Sequence, residues 1–132
     1  MFRIWGPDGY RVFLSHRVAV KAAAAKLEDR LRPFGISAFV AHRDIHPTKE
    51  WQNEIENALR SMDAFVAIRT KKFHESSWTD QEVGYALCRD VPIIALLLGA
   101  TPYGFIGKFQ ALTCQWAEVP EKIVKQIGRA HV

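Results

Sequence analysis

The sequence predicts a doubly wound α/β fold, a sheet of about five parallel strands with helices on both faces. Three observations carry that expectation: strand-like and helix-like stretches alternate along the chain, the strand-like ones are near-continuous in apolar residues, and the helix-like ones are apolar on one side only. A strand without polar alternation is buried on both faces, which requires a helical layer above and below it.

The first strand is read in YRVFLSH, residues 10–16, a short run with β-branched and aromatic members. Over residues 18–31, Val20, Ala23, Ala24, Leu27 and Leu31 fall on one helical face, and Pro33 with Gly35 ends the segment. ISAFVA, residues 36–41, is the second strand. HRDIHP, residues 42–47, has no period and stops at a proline, so it is a loop at a strand end, where function often resides. Thr48 is placed to cap the next helix, Glu50 sits in its first turn, and Trp51, Ile55, Ala58, Leu59 and Met62 form its apolar face.

AFVAI (64–68) and PIIALLL (92–98) are the third and fourth strands. Between them, Ser77 followed three residues later by Asp80 resembles a capping box with a short acid, starting a helix at about Trp78. GATPYGFIG is irregular, TCQWA (113–117) reads as a short edge strand, and Pro120 opens a last helix through Ile127. The expected architecture is thus flavodoxin-like, and in such sheets ligands bind beyond the carboxyl ends of the strands where the strand order reverses. Residues 15–17, 42–47 and 70–78 emerge there.

At 132 residues, with 48% apolar and 24% charged residues, the chain fits one globular domain, 1–132 with a core of about 10–127. Its longest apolar run, 91–98, is far below the roughly 20 residues of a bilayer span, so no membrane association is expected. MFRIWGPDGY lacks the apolar centre of a signal peptide. Two cysteines, Cys88 and Cys114, are too few for a disulfide framework and read as buried free thiols in a reducing, cytoplasmic setting. The net charge of +4 is dispersed, a weak nucleic-acid footprint that an anionic small molecule or an acidic partner face would suit equally well, and no direct nucleic-acid binding is expected.

Among candidate site residues Glu82 stands first. Positions 78, 82 and 85 lie along one helical stripe while Val83, Ala86 and Leu87 turn toward the sheet, so Glu82 is expected on the exposed side between Trp78 and Tyr85. A partly desolvated carboxylate beside aromatics has a raised pKa and can stabilise positive charge developing on a substrate; the alternative is an ordinary solvated glutamate. On this placement Glu82→Ala would change stability by no more than about half a kcal/mol. His16 and Arg17 follow the first strand as phosphate or hydroxyl contacts, or as plain loop residues.

His42, Asp44 and His46 do not make a convincing metal site, because histidines four apart need a helix to aim both rings and Pro47 argues against one. No metal is expected. There is no phosphate-binding glycine loop, no dinucleotide fingerprint, no serine nucleophile elbow and no cysteine pair at metal or redox spacing. Ser15 and His16 stand where a phosphorelay receiver would carry an acidic pair.

Three motifs in order resemble one family. RVFLSH resembles the first-strand motif of Toll/interleukin-1 receptor (TIR) domains, FVAHRDIHPTKEWQNEIENAL their second strand, BB loop and following helix, and SSWTDQEVGYAL the Trp-three-residues-Glu segment of the catalytically active members, many of them bacterial. The resemblance implies cleavage of the nicotinamide–ribose bond of NAD+, a substrate and not a cofactor, with Glu82 at the catalytic position. It implies substrate contacts from Phe13, Ser15, His16, Arg17, Trp78 and Asp44. It also implies a BB loop, with His42, Arg43, Ile45 and His46, that covers the site and contacts a neighbouring subunit. Activity would then depend on self-association, and the product would be ADP-ribose or a cyclic isomer.

The chain can be one piece of a longer multidomain protein, and bacterial relatives act in antiphage defence. Two other readings compete with this one. A non-catalytic TIR module would only assemble complexes, and an occluded Glu82 with no adjoining cleft would favour it. An enzyme like the nucleoside deoxyribosyltransferases would accept nucleosides without the pyrophosphate.

Overall fold

The computed structural model describes residues 5, 9–16, 21–40, 49–69, 77–98 and 110–131. Its elements run β1 (Tyr10–Ser15), α1 (Lys21–Leu31), β2 (Ile36–Val40), α2 (Lys49–Ser61), β3 (Ala64–Arg69), α3 (Ser77–Arg89), β4 (Ile93–Leu97), β5 (Gln110–Thr113) and α4 (Val119–His131), with 3₁₀ turns at Arg32–Phe34 and Trp116–Glu118. The strands form one sheet in the order β2-β1-β3-β4-β5, every pairing parallel. The predicted flavodoxin-like α/β architecture is the one found. From β1 the chain order runs outward both ways, so the crevice beyond the carboxyl ends of β1 and β3 is the switch point of the fold.

Successive strand side chains point to opposite faces, and in β1 this alternation feeds two different layers. Val12 and Leu14 enter an aliphatic layer under α1 and α4, with Leu27, Leu31, Val66, Ile94, Leu96, Val119 and Ile123. Phe13 enters the opposite layer under α2 and α3, with Phe39, Ile55, Leu59, Met62, Phe65, Val83 and Ala86. Its ring stacks on Phe65 at 5.6 Å and tilts against Phe39 at 5.4 Å.

The amino-terminal edge of the sheet is tightly closed. After the 3₁₀ turn Gly35 adopts φ 76°, a left-handed conformation that strains other residues, and its N–H returns to the Arg32 carbonyl at 3.0 Å. Its carbonyl accepts from Tyr10 N–H at 2.9 Å, starting β1. Arg89, at the end of α3, donates through Nη1 to the carbonyls of Leu59 (2.9 Å) and Met62 (3.1 Å), satisfying the last turn of α2 and tying the two helices together.

Three expectations are corrected. TCQWA is not the edge strand: β5 is Gln110–Thr113, and beyond it Gln115 N–H donates to the Glu118 carboxylate at 3.0 Å in a reciprocal cap that starts the 3₁₀ turn. The last helix begins at Val119, places Pro120 in its first turn and runs past Ile127 to His131. Cys88 is exposed rather than buried, since it faces away from the Val83–Ala86 side of α3, whereas Cys114 is buried; both are free. Burial, then the Glu118 carboxylate, with Lys122 opposing, push the Cys114 thiol pKa up. Among the described residues no helix is long and apolar enough to cross a membrane.

Candidate active site

β1 delivers Ser15 to the carboxyl edge of the sheet, in register with Ala67 of β3 and therefore at the switch point. Sharing the parity of Phe13, Ser15 points into the α2/α3 layer. On α3, Val83 and Ala86 pack into that same layer. Glu82 lies four residues before Ala86 and shares its face, so the helix carries the carboxylate inward. Glu82 is 3% exposed and Ser15 0%, and the Ser15 hydroxyl donates to Glu82 Oε1 at 2.8 Å.

This corrects the expected exposed stripe. Glu82 and Tyr85 are not equivalent: Tyr85, three residues on, stands at the rim of the buried face and is 36% exposed. The buried carboxylate is tolerated because a donor meets it. A hydrogen bond to an ionised group is worth about 1.5–3 kcal/mol, whereas an unmatched buried charge costs several kcal/mol. The stability expectation for Glu82→Ala rises accordingly, from about half a kcal/mol to about 1–3 kcal/mol.

Glu82 is buried yet not sealed off. A cleft of about 200 Å³ runs between α2 and α3, lined by Gln52, Ile55, Glu56 and Leu59 from one helix and Gln81, Glu82 and Tyr85 from the other. Aliphatic side chains, a phenol ring, two carboxamides and two carboxylates suit a polar, hydroxyl-bearing aromatic ligand. The carboxyl side chains favour a ligand that presents hydrogen-bond donors or positive charge to them. A phosphate would find no cationic side chain among these lining residues.

The sequence-predicted residues divide. Glu82 and Ser15 come into direct contact, and His16 is buried immediately after Ser15 at the strand end. Phe13 is fully buried in the aromatic layer and offers no surface to a nucleotide, because its parity turns it into the core one turn of the pleat below Ser15. Trp78 lies in the first turn of α3, its side chain outside the described residues. Arg17, His42, Arg43, Asp44, Ile45 and His46 lie outside the described residues altogether. Among the described residues no group of three His, Cys, Asp or Glu side chains could hold a metal ion. The wall supplied by α2 was missed; its signal is Gln52 and Glu56, four apart, flanking the Ile55–Leu59 stripe.

Comparison with solved structures finds the same fold over most of the chain in proteins that include the following two. A CMP N-glycosidase from Clostridium botulinum is 20% identical with a TM-score of 0.62, the match covering 86% of this chain and 97% of that one. The TIR domain of a Toll-related receptor from Hydra magnipapillata is 18% identical with a TM-score of 0.66, covering 89% and 94%. No match was found among curated proteins. The family model described as TIR domain matches residues 12–127, from the first strand through most of α4. With the family pattern running through every strand of the sheet and the helices that cover it, the chain belongs to the TIR domain family.

Proposed function

We propose that this domain cleaves the N-glycosidic bond between nicotinamide and ribose in NAD+, with the Glu82 carboxylate stabilising the ribosyl cation. The observation that carries the reading is a buried, hydrogen-bonded glutamate at the switch point of the sheet that also lines a cleft. Nicotinamide in NAD+ is already a cationic leaving group. The C1′–N bond breaks with its electron pair moving to the ring nitrogen, so no general acid is needed. What remains to be stabilised is the oxocarbenium-like ribose, and one carboxylate can address it through the ribose hydroxyls and the anomeric carbon.

Water then attacks C1′ and loses a proton to give ADP-ribose, or a nucleophile within the same molecule closes a cyclic isomer. His16, Arg17 and the loop 42–47 are the groups proposed to hold the rest of the dinucleotide and a neighbouring copy. Activity then depends on self-association, and cellular NAD+ depletion or a nucleotide messenger in antiphage defence would be its use.

The likeness to a CMP N-glycosidase is one of fold, and it is reason to include a pyrimidine nucleotide beside NAD+ in any substrate panel. A second reading rests on a specific observation: Glu82 is 3% exposed, as a purely structural carboxylate in an assembly module would be. Chromatographic assay of nicotinamide release at high protein concentration with a crowding agent separates the two. Release by wild type and not by Glu82→Gln supports the enzyme. Release by neither, with both folded, favours the assembly module, and cytosine release from CMP in place of nicotinamide would reassign the substrate.

A further inference from the structure

We infer that Ser15 is a positioning residue, holding the Glu82 carboxylate for the reaction and not touching substrate; this rests on the reading of Glu82 given above. Ser15 is the last residue of β1, a strand paired with β2 as far as Leu14 and with β3 through Ser15 itself, which stands in register with Ala67, so its backbone is fixed by the sheet at the carboxyl edge. Its side chain is fully buried and its hydroxyl donates to Glu82 Oε1 at 2.8 Å. A glutamate side chain has three rotatable bonds, and fixing them costs conformational entropy; a donor on a sheet strand offsets that before any substrate arrives.

The identity of the donor matters as much as its place. A lysine or arginine at this point would form an ion pair and spend the negative charge that a ribosyl cation needs. A hydroxyl orients the carboxylate without itself placing a positive charge beside it. Removing it should therefore affect the reacting state more than binding, because the ligand is held by other groups and only the aim of the carboxylate is lost.

The test compares wild type, Ser15→Ala, Ser15→Thr, Ser15→Cys and Glu82→Gln for nicotinamide release, with folded fraction checked by circular dichroism. Ser15→Ala is expected to lower kcat by about tenfold or more while KM stays within about threefold. Ser15→Thr, which keeps the hydroxyl, should recover most of the rate, and Ser15→Cys, a weaker donor that adds no methyl, should fall between if threonine does not fit. A wild-type kcat in Ser15→Ala, or a raised KM with kcat unchanged, would overturn the inference, the latter making Ser15 a substrate contact.

If wild type itself releases no nicotinamide, the proposed activity has failed and the carboxylate has no reaction to be positioned for. The stability cycle of Ser15→Ala and Glu82→Gln still reads the bond itself. Tm shifts that are not additive would retain the contact as structural, and additive shifts would remove it.

Discussion

The two layers that sandwich the sheet differ in what they do with the same strands. Under α1 and α4 the packing is aliphatic, and the shallow groove of about 130 Å³ on that side is walled by Lys26, Arg30 and Trp116. Under α2 and α3 the packing is aromatic lower down and gives way at the carboxyl edge to a buried serine–glutamate pair beside a larger cleft. A single step along β1 separates them, Leu14 on one face and Ser15 on the other. One layer maximises apolar burial, while the other surrenders some of it to hold a carboxylate where the fold places ligands.

The largest effect should come from the aliphatic layer. Ile123→Ala, at a fully buried site, should cost about 2–5 kcal/mol in urea denaturation while leaving the proposed nicotinamide-releasing activity per folded molecule intact. Glu82→Ala should cost less stability, about 1–3 kcal/mol, and all of the activity, reversing the ratio seen in the other layer. Arg89→Ala removes two bonds to the end of α2 and should lower stability by about 1–3 kcal/mol. If the cleft depends on the helix pair being braced there, KM will rise with it.

Gly35→Ala lies outside both layers and should cost about 1–2 kcal/mol through its left-handed backbone alone. The smallest effect is alkaline. Burial, then the Asp63 carboxylate, raise the Tyr10 pKa, and burial chiefly raises that of Cys114. In both cases the folded state favours the neutral form. Their contribution to stability is therefore whole below the ordinary values of 9.0 and 10.0 and is lost as pH climbs through the raised folded values. Thermal melts between neutral and strongly alkaline pH should decline in that window, less steeply in Tyr10→Phe.

Much of this was legible in the sequence because the relevant physics is local. The apolar runs in β1, β3 and β4 and the one-sided pattern Ile55, Ala58, Leu59 in α2 carry their own period, and the breakers Pro33 and Gly35 mark their own turn. Glu82 stands out in the sequence as the residue to watch, but its burial does not. Its face is fixed by Ala86 four residues on, while polarity argues for the opposite side, and the partner that reconciles the two is Ser15, 67 residues away. No local pattern contains that contact. The cleft is likewise a product of two helices meeting, so neither Gln52 nor Gln81 announces itself alone. TCQWA misleads because its apolar and aromatic residues suit a strand, while the Gln115–Glu118 cap turns the chain instead.

The measurement that bears most directly on the central claim is an amide chemical-shift map of Glu82→Gln protein, isotopically labelled and titrated with NAD+, since the substitution should preserve binding while halting turnover. The account predicts shifts at Ser15 and His16, along the first half of α3, and on the cleft face of α2 at Gln52 and Ile55. Shifts gathered instead around Lys26, Arg30 and Trp116 on the opposite layer, or none at saturating NAD+, would contradict it.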